Sequence, residues 1–148
     1  MDFDSFYTIL FFIRLVIEMN DSVEYWLDLA DYDIETAKAM LNTGRYLYVG
    51  FMCHQVIEKA LKAIIASDCQ EGEIPPKIHN LIKLVNKAAL YEKMSTEQLE
   101  FIDMMNPLNV EARYPDYKNR IATNLSEDSC KQIIRGTEEM LCWIKKQL

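Results

Sequence analysis

From Val23 to Ile64 the apolar residues return every three or four positions, with one clear interruption at Gly44. Val23, Leu27, Ala30, Ile34, Ala37 and Leu41 make one run. Val49, Cys53, Val56, Ala60 and Ala63 make a second, widened by Ile57, Leu61 and Ile64. That spacing is the repeat of one helix face, whereas a half-buried strand alternates with period two. Ser22 is a suitable N-cap and Gly44 a suitable residue just past a C-terminus, which predicts a helix over about 22–43. A second is predicted from about Tyr46 to Ser67, and its broad apolar surface places it centrally among its neighbours.

The rest of the chain continues in the same style. QEGEIPPK breaks the pattern with Gly72, Pro75 and Pro76. A third helix is expected from Lys77 or His79 to about Leu90, with Leu81, Leu84, Val85 and Ala88 inward. Ser95 and Gln98 fit a capping box that opens a fourth, which should stop by Asn106 because Pro107 cannot continue it. NPLNVEARYPDYKNRIATNL then runs about 20 residues without periodicity, a length uncommon for a plain connection and often a binding loop; otherwise it drapes over the core. A last helix begins near Ser126, with Glu127 and Asp128 where the helix dipole favours negative charge. Cys130, Ile133, Ile134, Thr137, Met140, Leu141 and Ile144 face inward. No segment alternates convincingly. The expected class is all-α: an up-and-down bundle of four to five main helices with a long loop before the last.

The chain has 148 residues, 50% of them apolar, with only four Gly and four Pro, which suits one domain over residues 22–148. Residues 1–21 form an apolar extension, an extra helix or an interface segment. Its run FYTILFFIRLVI is about 18 Å long as helix, too short for a ~30 Å hydrocarbon core. Asp2 and Asp4 stand where a signal peptide carries basic residues, so export and membrane spanning are not expected. An ordered apolar strip must be covered by its own bundle or by a second chain, and the second chain is the preferred reading.

A net charge of −7 argues against coating DNA or an anionic membrane. Cys53, Cys69, Cys130 and Cys142 lack any C-x-x-C pairing and only two histidines are present, so no zinc spacing exists. Reduced thiols in a cytoplasmic protein, with no metal and no cofactor, are expected.

Three pieces, in order, resemble the HEPN domain family. They are WLDLADYDIETAKAML, then YVGFMCHQVIEKALKAI with its Q-x-x-E-K-x-x-K-A spacing, then PPKIHNLIKLV together with EARYPDY. The resemblance implies a small helical bundle, commonly a homodimer. Such proteins are often encoded beside a minimal nucleotidyltransferase, some in toxin–antitoxin pairs. Several relatives are metal-independent RNases using an arginine followed four to six residues later by a histidine. Here the nearest such pair is Arg45 and His54, nine residues apart. Nine steps of ~100° put them on opposite sides of one helix, ~13.5 Å apart along its axis. They are weak catalytic candidates, and a divergent RNase is an alternative reading, as is a non-catalytic assembly protein.

Within the second helix, Gln55, Glu58, Lys59 and Lys62 share one face. Such a ribbon is either the helix's solvated stripe or the wall of a cleft. In a cleft, Lys59 and Lys62 meet phosphates while Gln55 and Glu58 bond a base, a ribose or an arginine. Arg113 is the natural partner for Glu58, since guanidinium binds carboxylate bidentately. Arg113, Tyr114 and Asp116 of EARYPDY complete the candidate ligand-binding set, for a nucleotide or RNA. His79 is expected to order the turn before its helix.

Overall fold

In the computed structural model the described residues are 3–70, 73–111 and 125–148, without the side chains of 16–21 and 110–111. They form helices α1 (Phe3–Asn42), α2 (Tyr46–Asp68), α3 (Leu81–Lys87), α4 (Thr96–Met105), α5 (Leu108–Glu111) and α6 (Glu127–Lys145), with a 3-10 turn at Tyr91–Lys93. No strand occurs among the described residues. The all-α class therefore holds.

α1 and α2 make the most extensive pair, and α6 packs on both. Gly44 makes the link between α1 and α2 possible. It adopts a left-handed φ of 72°, a conformation costly for any residue with a Cβ. Its N–H donates to the Leu41 carbonyl and the Arg45 N–H to that of Met40, closing the end of α1 as a Schellman motif. The ion pairs set the directions of the helices. Asp33 meets Lys59 and, one turn of α2 later, Lys62 lies over Trp26, so α2 runs antiparallel to α1. Lys38 meets Glu138 and Asp31 meets Lys145, so α6 also runs antiparallel to α1.

α2 is central, as its sequence required. Val49, Cys53, Val56, Ile57, Ala60 and Leu61 are fully buried, and Leu81, Leu84, Ile102 and Ile144 close around them. All seven residues expected inward on α6 are buried. Ser95 and Gln98 form the expected capping box at α4, and Ser126 caps α6 by accepting from the Ser129 N–H at 3.1 Å.

Three boundaries differ from the sequence reading. First, Ser22 caps nothing, because α1 begins at Phe3 and runs through it. Residues 3–21 contain no Gly or Pro, and a capping residue starts a helix only where the chain before it is not already helical. Second, α3 starts at Leu81 rather than at Lys77 or His79. The Asn80 side chain accepts from the Lys83 N–H at 3.0 Å, and Asn106 accepts from the Leu81 N–H at 2.8 Å, so two amides occupy the helix's first donors. Third, the segment after Pro107 is not wholly irregular, since α5 forms there with Leu108 and Asn109 buried.

The cysteines divide by burial. Loss of hydration pushes the Cys53 thiol from its ordinary 9.0 up to about 12, with a hydrogen bond to Thr137 acting weakly the other way. Burial alone takes Cys130 to about 11. Cys142 is exposed. A thiol reagent at mildly alkaline pH should modify Cys142 first and Cys53 only after unfolding, as mass spectrometry of the labelled native protein would show. Because the folded chain keeps these protons where the unfolded chain loses them, stability is intact below about pH 9 and falls as pH rises towards 11–12.

A buried carboxylate cluster as the candidate functional site

The four polar residues of α2 do share a face, and that face lies against the rest of the protein. Glu58 is 3% exposed and Lys62 6%, so neither belongs to a solvated stripe. Lys62 Nζ donates to Glu58 Oε1 at 2.8 Å and sits 5.4 Å from the centroid of the Trp26 ring. The aromatic face and the carboxylate together compensate an ammonium removed from water. One turn earlier, Lys59 pairs with the buried Asp33 of α1. Gln55 Nε2 reaches Asn109 Oδ1 of α5 at 3.4 Å.

Glu58 is the hub. Besides Lys62 it holds His79, whose Nδ1 lies 3.0 Å from Oε1 and 3.2 Å from Oε2. His54 Nδ1 is 3.7 Å from Oε2. Delaying α3 to Leu81 places His79 outside the helix, where its ring folds down onto α2. The His79 side chain bonds across to Glu58 of α2 and stays 51% exposed. A carboxylate that engages Nδ1 leaves Nε2 as the ring atom able to meet a ligand or a solvent proton.

The other candidates are placed as follows. Arg45 is exposed at the N-cap of α2, whereas His54 is fully buried nine residues on, so the two do not converge within a chain. Arg113, Tyr114 and Asp116 lie outside the described residues. Within the described part, the cluster's contacts from outside α2 come from α1, α5 and the turn before α3: Trp26, Asp33, His79 and Asn109. The sequence carries one signal for Asp33. It interrupts the inward face marked by Ala30, Ile34 and Ala37, where an acid needs a buried partner. Nothing comparable marks Asn109, whose role depends on α5 folding against α2.

A second concavity, about 420 Å³, lies between α4 and α6, lined by Phe101, Met104, Leu108, Leu125, Ile133 and Gly136 among others. Among the described residues its lining carries no titratable group. Gly136 lets the Phe101 ring approach α6, since a Cβ there would stand 2.6 Å from it. Among the described residues no group of His, Cys, Asp and Glu could hold a metal ion, and no helix is long and apolar enough to cross a membrane.

Comparison with known proteins supplies the family. Among curated proteins none matches the chain. A solved structure, that of TT1696 from Thermus thermophilus, is similar in fold with a TM-score of 0.73 at 18% identity, over 86% of this chain and 99% of that one. The HEPN domain profile matches residues 23–147. That span takes in the second half of α1 and all of α2 to α6, so the chain belongs to the HEPN domain family.

Proposed function

We propose that this HEPN protein is a partner-dependent binding module, acting with a minimal nucleotidyltransferase in a toxin–antitoxin-type pair, and that it does no chemistry alone. The carrying observation is that the cations of α2 are already engaged. Lys59 is neutralised by Asp33 and Lys62 by Glu58, so neither stands ready for a phosphate without exchanging its partner. The burial of His54 weighs equally against a self-sufficient nuclease.

On this reading nucleotide or RNA contact falls to the rim of the cluster. His79 presents its ring there, and Arg113, Tyr114 and Asp116 of EARYPDY are proposed as further ligand groups. Glu58, Lys62 and Trp26 act beneath as a fixed floor that holds His79 in one orientation.

The test is co-expression of the full chain with the product of a neighbouring nucleotidyltransferase gene. A complex of defined stoichiometry is expected by size exclusion. Its affinity for ATP or a short RNA, read by calorimetry, should fall about tenfold or more in His79→Ala, equivalent to one lost charged hydrogen bond. Failure to form any complex, or RNA cleavage by the isolated chain, overturns the proposal.

A further inference from the structure

Among the described residues, the first third of α1 has no counterpart to pack against. At 1.5 Å per residue the 40 residues of α1 extend about 60 Å, and the 23 of antiparallel α2 about 35 Å. The two share one end at Gly44, so α1 overhangs by about 25 Å, corresponding to its first 17 residues or so. Among the described residues α6 packs further along: Lys145 pairs with Asp31, and Leu148 lies beside Val23 and Leu27.

The overhang is nonetheless apolar. Phe3, Phe6, Tyr7, Ile9, Leu10, Phe11, Phe12 and Ile13 are each between 44% and 78% exposed. Phe3, Phe6, Leu10 and Ile13 follow the alternating three-and-four spacing of a coiled-coil seam, with Tyr7 and Ile9 at its margins. At ~100° per residue this stripe lies a little over a third of a turn away from the Ala30, Ile34 and Ala37 face that meets α2. The seam is therefore a separate contact surface, aimed away from the described part of the bundle.

We infer that this arm pairs with the same arm of a second copy, seam to seam, about a two-fold axis. Taking ~150–250 Å² per large side chain, the six residues on or beside the stripe leave roughly 600 Å² uncovered in each copy. A symmetric pair thus has about 1,200 Å² available, the lower bound of a standard specific interface. Both partners present an identical seam, so one contact covers two arms at once. A bilayer surface fits less well. Helices that lie in that interface carry several Lys and Arg on the polar face, whereas this arm has Asp4 and one arginine, Arg14, and the chain is at −7.

The inference stands apart from the nucleotidyltransferase reading, because the seam lies outside residues 23–147. Its test is the solution mass of the full chain at about 10 μM by light scattering. Twice the 17.3 kDa of one chain is expected. Phe6→Glu/Leu10→Glu, which places two carboxylates in the seam, should weaken self-association by on the order of 100-fold or more and return the mass to one chain. Thr8→Lys, on the opposite side of the helix, should remain a dimer. Circular dichroism and the melting curve check that the bundle survives in both variants. A wild-type chain of single mass, or a dimer that persists in Phe6→Glu/Leu10→Glu, overturns the inference. So does flotation of single chains with phosphatidylcholine vesicles. Any of these results leaves the complex with a nucleotidyltransferase untouched.

Discussion

Glu58→Ala should lower the unfolding free energy by about 3–5 kcal/mol, the largest effect expected of any single polar substitution here. The wild-type carboxylate is 3% exposed and compensates the buried Lys62 ammonium while also holding His79. Removing it leaves the buried Lys62 with the Trp26 ring as its one partner among the described residues. For a chain of this size each kcal/mol moves the midpoint by roughly 2–4 °C, so a fall on the order of 10 °C is expected in a thermal melt. The cost comes from the abandoned charge and not from a strong bond. Glu58→Leu/Lys62→Leu, which removes both charges and keeps apolar volume, should therefore recover most of it. His79→Ala should cost less, about 1 kcal/mol, because its ring is half-exposed and water can replace it. A Glu58→Ala variant that melts within a degree or two of the wild type would show that the cluster is hydrated in solution.

Leu61→Ala should cost about 3–4 kcal/mol by urea denaturation, within the range for a core leucine cut back to alanine. Leu61 is fully buried on α2, the helix that α1, α3, α4, α5 and α6 all touch. A central site has packed neighbours on several sides, so the vacated volume collapses little and the cavity contributes to the loss. Tyr32→Ala provides the contrast, since Tyr32 is 74% exposed and its removal should change stability by no more than about 0.5 kcal/mol. Similar losses at the two positions would mean that α2 is not the centre of the core.

Most of the fold was legible because helix periodicity is a local property. The spacing of Ala30, Ile34 and Ala37, or of Cys130, Ile133, Thr137 and Ile144, identifies an inward face without reference to any other segment. Capping is equally local, and Ser95 with Gln98 behaves as its spacing said. Where the reading failed, a local signal was outweighed by its context. Ser22 is a competent cap inside a helix that had already begun. His79 follows two prolines and resembles a helix start, but Asn80 and Asn106 take the first donors of α3 and leave the imidazole outside it.

The candidate site shows the same division. That Gln55, Glu58, Lys59 and Lys62 share a face follows from their spacing alone, and so do the helical class and the ordered pieces that resemble the HEPN family. Whether that face meets water, a ligand or another helix does not follow, because burial depends on what lies opposite. Tertiary structure brought Trp26, Asp33 and His79 against it, from positions 21 to 36 residues away in the chain. The sequence by itself determined the main helices, though not all their ends, and the polar ribbon on one of them. Only the packing of α1 and the α3 turn onto α2 decided that the ribbon is an interior cluster and not a surface stripe, since long-range contact carries no signature within a single helix.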